Sequence, residues 1–140
     1  MVRISDIDIL NELRKNSRIP FLKIAKKFKV SEATIRKRVK NLLMKGVIKK
    51  FTIEIDYRKI GFQYFVILGI DTYPEGFIKL IEKLKRYENV LDLYTSTGDH
   101  MIICNLIFKS SSELNKTIKK LEKNKYVKKV CPAIILEKVK

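Results

Sequence analysis

The hydrophobic rhythm of this chain changes near "DYRKIG", Asp56 to Gly61. Before that point apolar residues recur every three or four positions; after it come long β-rich runs separated by helical segments. A period of 3.6 buries one stripe of a helix, whereas a period of two buries one face of a strand, so the two stretches require different layers. The expected fold is α+β in two domains, residues 1–61 and residues 62–140. A length of 140 residues suits two small domains, and 46% hydrophobic with 33% charged residues favours packed cores over disorder.

Charge narrows the partners. The net charge is +16, from 31 basic and 15 acidic residues. Residues 1–61 hold 17 basic and 6 acidic side chains, net +11, while residues 62–140 hold 14 and 9, net +5. Such an excess favours a polyanion, nucleic acid ahead of an anionic membrane surface, and places the contact in the N-terminal half. No apolar run approaches the ~20 residues of a spanning helix, so no membrane partner is expected. "MVRISDIDIL" has charge scattered through it and lacks the apolar core of a signal peptide, which makes the cytoplasm the expected compartment. Cys104 and Cys131 form no close CxxC pair and are expected to be reduced thiols. The only histidine is His100, and on a strand it would stand about 13 Å from Cys104 at ~3.3 Å per residue, too far to share a metal. Neither a metal nor a cofactor is expected.

The first half predicts three helices. Ser5 is a candidate N-cap with Asp8 three residues on, and Ile7, Leu10 and Leu13 follow on one face, with Ile4 as a staple outside. "NSRIP" breaks this helix. A second, "FLKIAKKF", begins after Pro20 and should bury Leu22, Ala25 and Phe28. "KVS" is a tight connection, and Ser31 caps a third helix that ends before Gly46, the expected left-handed residue. "VIKKFTIEID" alternates and reads as a strand or small wing.

On a wheel of the third helix, Ile35, Val39, Leu42 and Leu43 form one stripe. The opposite face carries Ala33, Thr34, Lys37, Lys40, Asn41 and Met44, with Arg36 and Arg38 flanking the stripe. Two helices, a short turn and a longer basic helix make a helix-turn-helix, whose second element enters the major groove of double-stranded DNA. Ala33, Thr34, Lys37 and Asn41 are the candidates for base edges, and Ser31, Arg36, Arg38 and Lys40 for phosphates. Glu32, near the helix N-terminus, is expected to cap and favour the dipole, with a cytosine amino group as the alternative partner.

The second half alternates βαββαβ: "FQYFVILGID", "PEGFIKLIEKLKRY", "VLDLYTST", "HMIICNLIF", "SSELNKTIKKLEK" and "VKKVCPAIILEKV". This order gives a ferredoxin-like sheet with both helices on one face. Val66, Ile67, Ile102 and Ile103 make both sheet faces apolar, so the uncovered face needs a second copy, and a homodimer is expected. Two copies also present two recognition helices to a pseudo-palindromic site.

"DIDILNELRKNSR", "IAKKFKVSEATIRKRVKNL" and "GVIKKFTIEID", in this order, resemble the N-terminal domain of the Lrp/AsnC family, the feast/famine transcription regulators of bacteria and archaea, and an archaeal source is expected. The second half is similar to that family's effector-binding and oligomerisation domain. The resemblance implies a winged-helix-like helix-turn-helix, a ferredoxin-like domain that dimerises through its sheet, and further assembly into tetramers or octamers. It also implies contact with the basal transcription machinery and an amino-acid effector. In relatives a turn with a Gly and acidic residues lines the effector site. Here it reads "TSTGDHMI", giving Thr97, Gly98, Asp99 and His100 as candidates, with Met101 where many relatives carry a second Asp. An alternative is a non-specific architectural DNA- or RNA-binding protein, favoured by 24 lysines against 7 arginines. An enzyme is not expected, for want of a phosphate-cradling loop or a nucleophile–base pair; Ser110, Ser111 and Ser112 read as an N-cap cluster.

Overall fold

Ser5 starts the first helix by a reciprocal cap. A computed structural model describes residues 3–140 of the chain. Its first helix, α1 (Asp6–Lys15), begins where the Ser5 hydroxyl accepts from the Asp8 amide and the Asp8 carboxylate accepts from the Ser5 amide at 2.8 Å. Two otherwise orphaned donors are thereby satisfied. The Ser5 hydroxyl, and then its amide, hold the Asp8 carboxyl below the usual carboxylate range. Pro20 precedes α2 (Phe21–Phe28), and Lys29 closes it in the left-handed region at φ 56. Its neighbour Val30 returns an amide hydrogen bond to the Ala25 carbonyl at 3.0 Å, which folds the chain sharply into α3 (Glu32–Met44). Ser31 caps α3 by accepting from the Thr34 amide at 3.1 Å, and Gly46, at φ 71, follows its end.

These helices belong to one of two compact units, Met1–Ile55 and Asp56–Lys140. The division falls six residues before the expected 61/62 boundary. A 3-10 turn at Tyr57–Ile60 explains the difference: the Phe62 amide donates to the Tyr57 carbonyl, their rings meet edge to face, and Arg58 donates to the Ile135 carbonyl.

The core of the first unit holds Ile4, Ile9, Leu13, Ile24, Ala25, Ile35 and Val39. Three expected core positions are corrected. Ile7 is 60% exposed, Leu22 47% and Leu43 42%. On α1 the buried pair is Ile9 and Leu13, one turn apart. On α2 it is Ile24 and Ala25, flanked by half-buried Phe21 and Phe28, an i, i+3, i+4, i+7 stripe that Leu22 does not join. Leu42 fills the α3 stripe, and Leu43 lies at its edge. The expected strand in "VIKKFTIEID" is also corrected: residues 49–56 are in no regular element, and Phe51, Ile53 and Ile55 are exposed.

In the second unit the elements are β1 (Tyr64–Thr72), α4 (Phe77–Leu84), β2 (Val90–Thr95), β3 (Ile102–Phe108), α5 (Ser111–Glu122) and β4 (Val127–Ile134). The antiparallel sheet has the order β2-β3-β1-β4, which is the ferredoxin-like arrangement. Ser110 caps α5 through the Glu113 amide. One sheet face sends Val66, Leu68, Ile70, Ile102, Cys104, Leu106 and Phe108 against Leu80 and Leu84 of α4 and Leu114 and Leu121 of α5. Because strand side chains alternate, Phe65, Ile67 and Ile103 take the opposite face and stay only partly covered. Both cysteines are free, and burial pushes the Cys104 thiol up to about 12. Among the described residues, no helix is long and apolar enough to cross a membrane.

Candidate nucleic-acid interface

The sequence of α3 divides its surface cleanly. Ile35, Val39 and Leu42 are buried, while Ala33, Thr34, Lys37, Lys40 and Asn41 face solvent together. Among the described residues, Lys37 and Lys40 have no ion-pair partner. The Thr34 hydroxyl lies 2.8 Å from that of Ser31, which positions both at the amino end of the helix, where free backbone N–H groups attract anions. Thr34 and Asn41 also line a shallow cleft of roughly 770 Å³ bordered by Arg3, Lys29 and Lys45.

The two arginines that flank the stripe differ. Arg36 pairs with Glu32 one turn away at 2.6 Å and stacks over the Phe21 ring, its centroid at 5.5 Å; both charges are solvent-exposed, so a phosphate could displace the carboxylate. Arg38 is held differently. Its Nε and Nη2 donate to Asp6 Oδ1 at 3.0 and 2.6 Å, and its Nη1 donates to the Ile4 carbonyl. Its guanidinium therefore ties α3 to the start of α1, with only 27% of the side chain exposed. Sequence reasoning missed this partner, 32 residues upstream, because no local pattern announces it.

In the second unit the four effector candidates fall on the β2–β3 turn. Thr97, Gly98 and Asp99 are exposed, and Gly98 takes φ 97, a conformation that favours glycine. His100 is half-buried. Its Nδ1 lies 3.2 Å from Asp71 Oδ2, and Asp71 Oδ1 accepts from the Met101 amide at 3.1 Å. The ring lies over Gly69, where an added Cβ would come within 2.3 Å of it. Asp71 is thus an acid of this turn that the sequence, placing it on another strand, did not reveal.

The comparisons with known proteins match both units. Residues 3–49 match the family described as winged helix-turn-helix DNA-binding, and residues 64–140 match the Lrp/AsnC ligand binding domain. The HTH-type transcriptional regulator LrpA of Pyrococcus horikoshii is 46% identical over 141 residues, covering 100% of both chains. Among solved structures, AsnC of E. coli has a TM-score of 0.80 at 25% identity, over 99% of this chain and 95% of that one. A transcriptional regulator of Neisseria meningitidis, solved as an L-Met complex, has a TM-score of 0.86 at 15% identity, over 100% and 93%, a likeness of fold. A DNA-binding helix-turn-helix followed by this ligand-binding domain, matched end to end by a named regulator, makes the protein a sequence-specific transcriptional regulator: the chain belongs to the Lrp/AsnC family.

Proposed function

We propose that α3 reads a pseudo-palindromic operator as part of a homodimer, with Ala33, Thr34, Lys37 and Asn41 on base edges and Ser31, Arg36 and Lys40 on phosphates. Arg38 acts as a positioning residue, fixing α3 on α1 through Asp6 and Ile4. One observation carries this reading: every base-edge candidate lies on the exposed side of a helix, away from the buried stripe of Ile35, Val39 and Leu42. Small and amide side chains suit the groove, and cations beside them suit the backbone. The homodimer rests on the half-covered Phe65, Ile67 and Ile103, an apolar sheet face that a second copy would bury. Selection of bound duplexes from a random pool tests α3. The parent should enrich one palindromic motif and Lys37→Ala should flatten its preference; unchanged enrichment would refute the face assignment. For the dimer, Ile67→Asp should give a single-chain mass in sedimentation, and an unchanged assembly would refute the interface.

The ligand of the second unit is proposed to be an α-amino acid held at the β2–β3 turn, with the exposed Asp99 carboxylate receiving its ammonium group. The match to the ligand-binding domain supports this, as does the L-Met bound by the meningococcal regulator. Equilibrium dialysis against the twenty amino acids tests it, with Asp99→Asn expected to abolish retention. Action on cytoplasmic DNA follows as part of the same proposal.

A further inference from the structure

On the helical face of the second unit, Lys116, Lys119, Lys120 and Lys123 recur at i, i+3, i+4 and i+7 along and just beyond α5. That spacing sets them on one stripe, opposite the buried Leu114 and Leu121. Lys83 of α4 faces them, and together with Asn124 these five lysines line a groove of roughly 440 Å³. No carboxylate lines it. Among the described residues five cations pair with carboxylates: Lys15 and Lys27 with Glu12, Arg36 with Glu32, Arg38 with Asp6 and Lys85 with Glu82. None of the five lysines of the groove is among them, and among the described residues only Lys120 has a side-chain partner, the Tyr87 ring. Like charges one turn apart repel and destabilise a helix. The favourable helix-dipole position of Lys119 and Lys120, in the last turn of α5, does not extend to Lys116.

We infer that this lysine groove is a second polyanion contact, binding the phosphate backbone of the same duplex that the first unit reads. The inference rests on the reading that α3 grips DNA. Lys116 to Lys123 spans about 10 Å of helix axis at ~1.5 Å per residue. Over that length one DNA strand offers about three phosphates at ~3.4 Å each. Lysine supplies point charge without the planar fork that reads bases, so the contact is blind to sequence. A membrane surface fits less well, because the lining has only lysines and an asparagine and no apolar side chain to enter a bilayer. Joining both units in one chain also keeps bound DNA at high local concentration near the groove.

The test uses the full chain and its triple variant Lys116→Gln, Lys119→Gln, Lys123→Gln, with the three Lys→Arg changes as the charge-keeping control. Each binds a short duplex of about 20 base pairs and a long one of about 150 base pairs, both carrying the same selected site. On the long duplex the Gln variant should lose ~0.9 of salt slope per phosphate contact, or about 2.7 in all. Between about 50 and about 200 mM salt that amounts to roughly 40-fold less loss of affinity than the parent suffers. The Arg variant should keep the parent's slope on both duplexes. Equal slopes for parent and Gln variant on the long duplex overturn the inference. So does a loss confined to binding of phosphatidylserine vesicles, which would assign the groove to a membrane. Failure of the α3 reading shows separately, as a Lys37→Ala protein that discriminates among short duplexes like the parent.

Discussion

Replacing Arg38 by Ala separates two roles that a surface arginine on a DNA-binding helix could have. The guanidinium meets Asp6 through two nitrogens and the Ile4 carbonyl through a third. Asp6 is 53% exposed, so the ion pair is screened and contributes about 0.5 kcal/mol. Leaving the part-buried Ile4 carbonyl without its donor costs about 1 kcal/mol more. A total of about 1.5 kcal/mol in a unit of this size corresponds to roughly 6–12 °C in melting temperature. Calorimetry of the full chain should show that fall in the transition of the first unit. A cycle with Asp6→Ala should recover a coupling of about 0.5 kcal/mol. Arg38→Lys should restore only part of the loss, since an ammonium cannot span both acceptors. If Arg38→Ala melts with the parent while the DNA salt slope drops by ~0.9, the side chain contacts phosphate and the positioning role is refuted.

Two more consequences are open to measurement. Gly69→Ala would press a Cβ into the His100 ring, so the second unit should lose about 1–3 kcal/mol and the His100 ring resonances should move in NMR spectra; an unshifted spectrum would show that the ring is not held over Gly69. The Cys104 thiol, raised to about 12 by burial, is about 1 part in 10,000 thiolate at pH 8, so mass spectrometry after brief alkylation should find Cys131 modified and Cys104 intact until the chain unfolds.

What the sequence revealed was set by local rules. Ser5, Ser31 and Ser110 announced three helix starts because an N-cap needs only its own next turn. The order of the second unit was legible because strand and helix periods differ. Core faces were harder where a helix carries apolar residues all round. In α1, Ile7, Ile9, Leu10 and Leu13 allow two stripes, and only packing among the three helices selects Ile9 with Leu13. "VIKKFTIEID" shows the limit from another side: alternation marks an extended chain, but a strand exists only with a partner to bond, and among the described residues no strand pairs with residues 49–56. For the site, the exposed line of α3 followed from the wheel. The holds on Arg38 and His100 did not, since Asp6 and Asp71 lie 32 and 29 residues away.

The two cores are unequal. Among the described residues, eight buried apolar side chains lie in the first unit and thirteen in the second. A domain of about 55 residues retains proportionally more surface and sits nearer its melting point than a larger neighbour. Under rising heat the first unit should therefore unfold before the second.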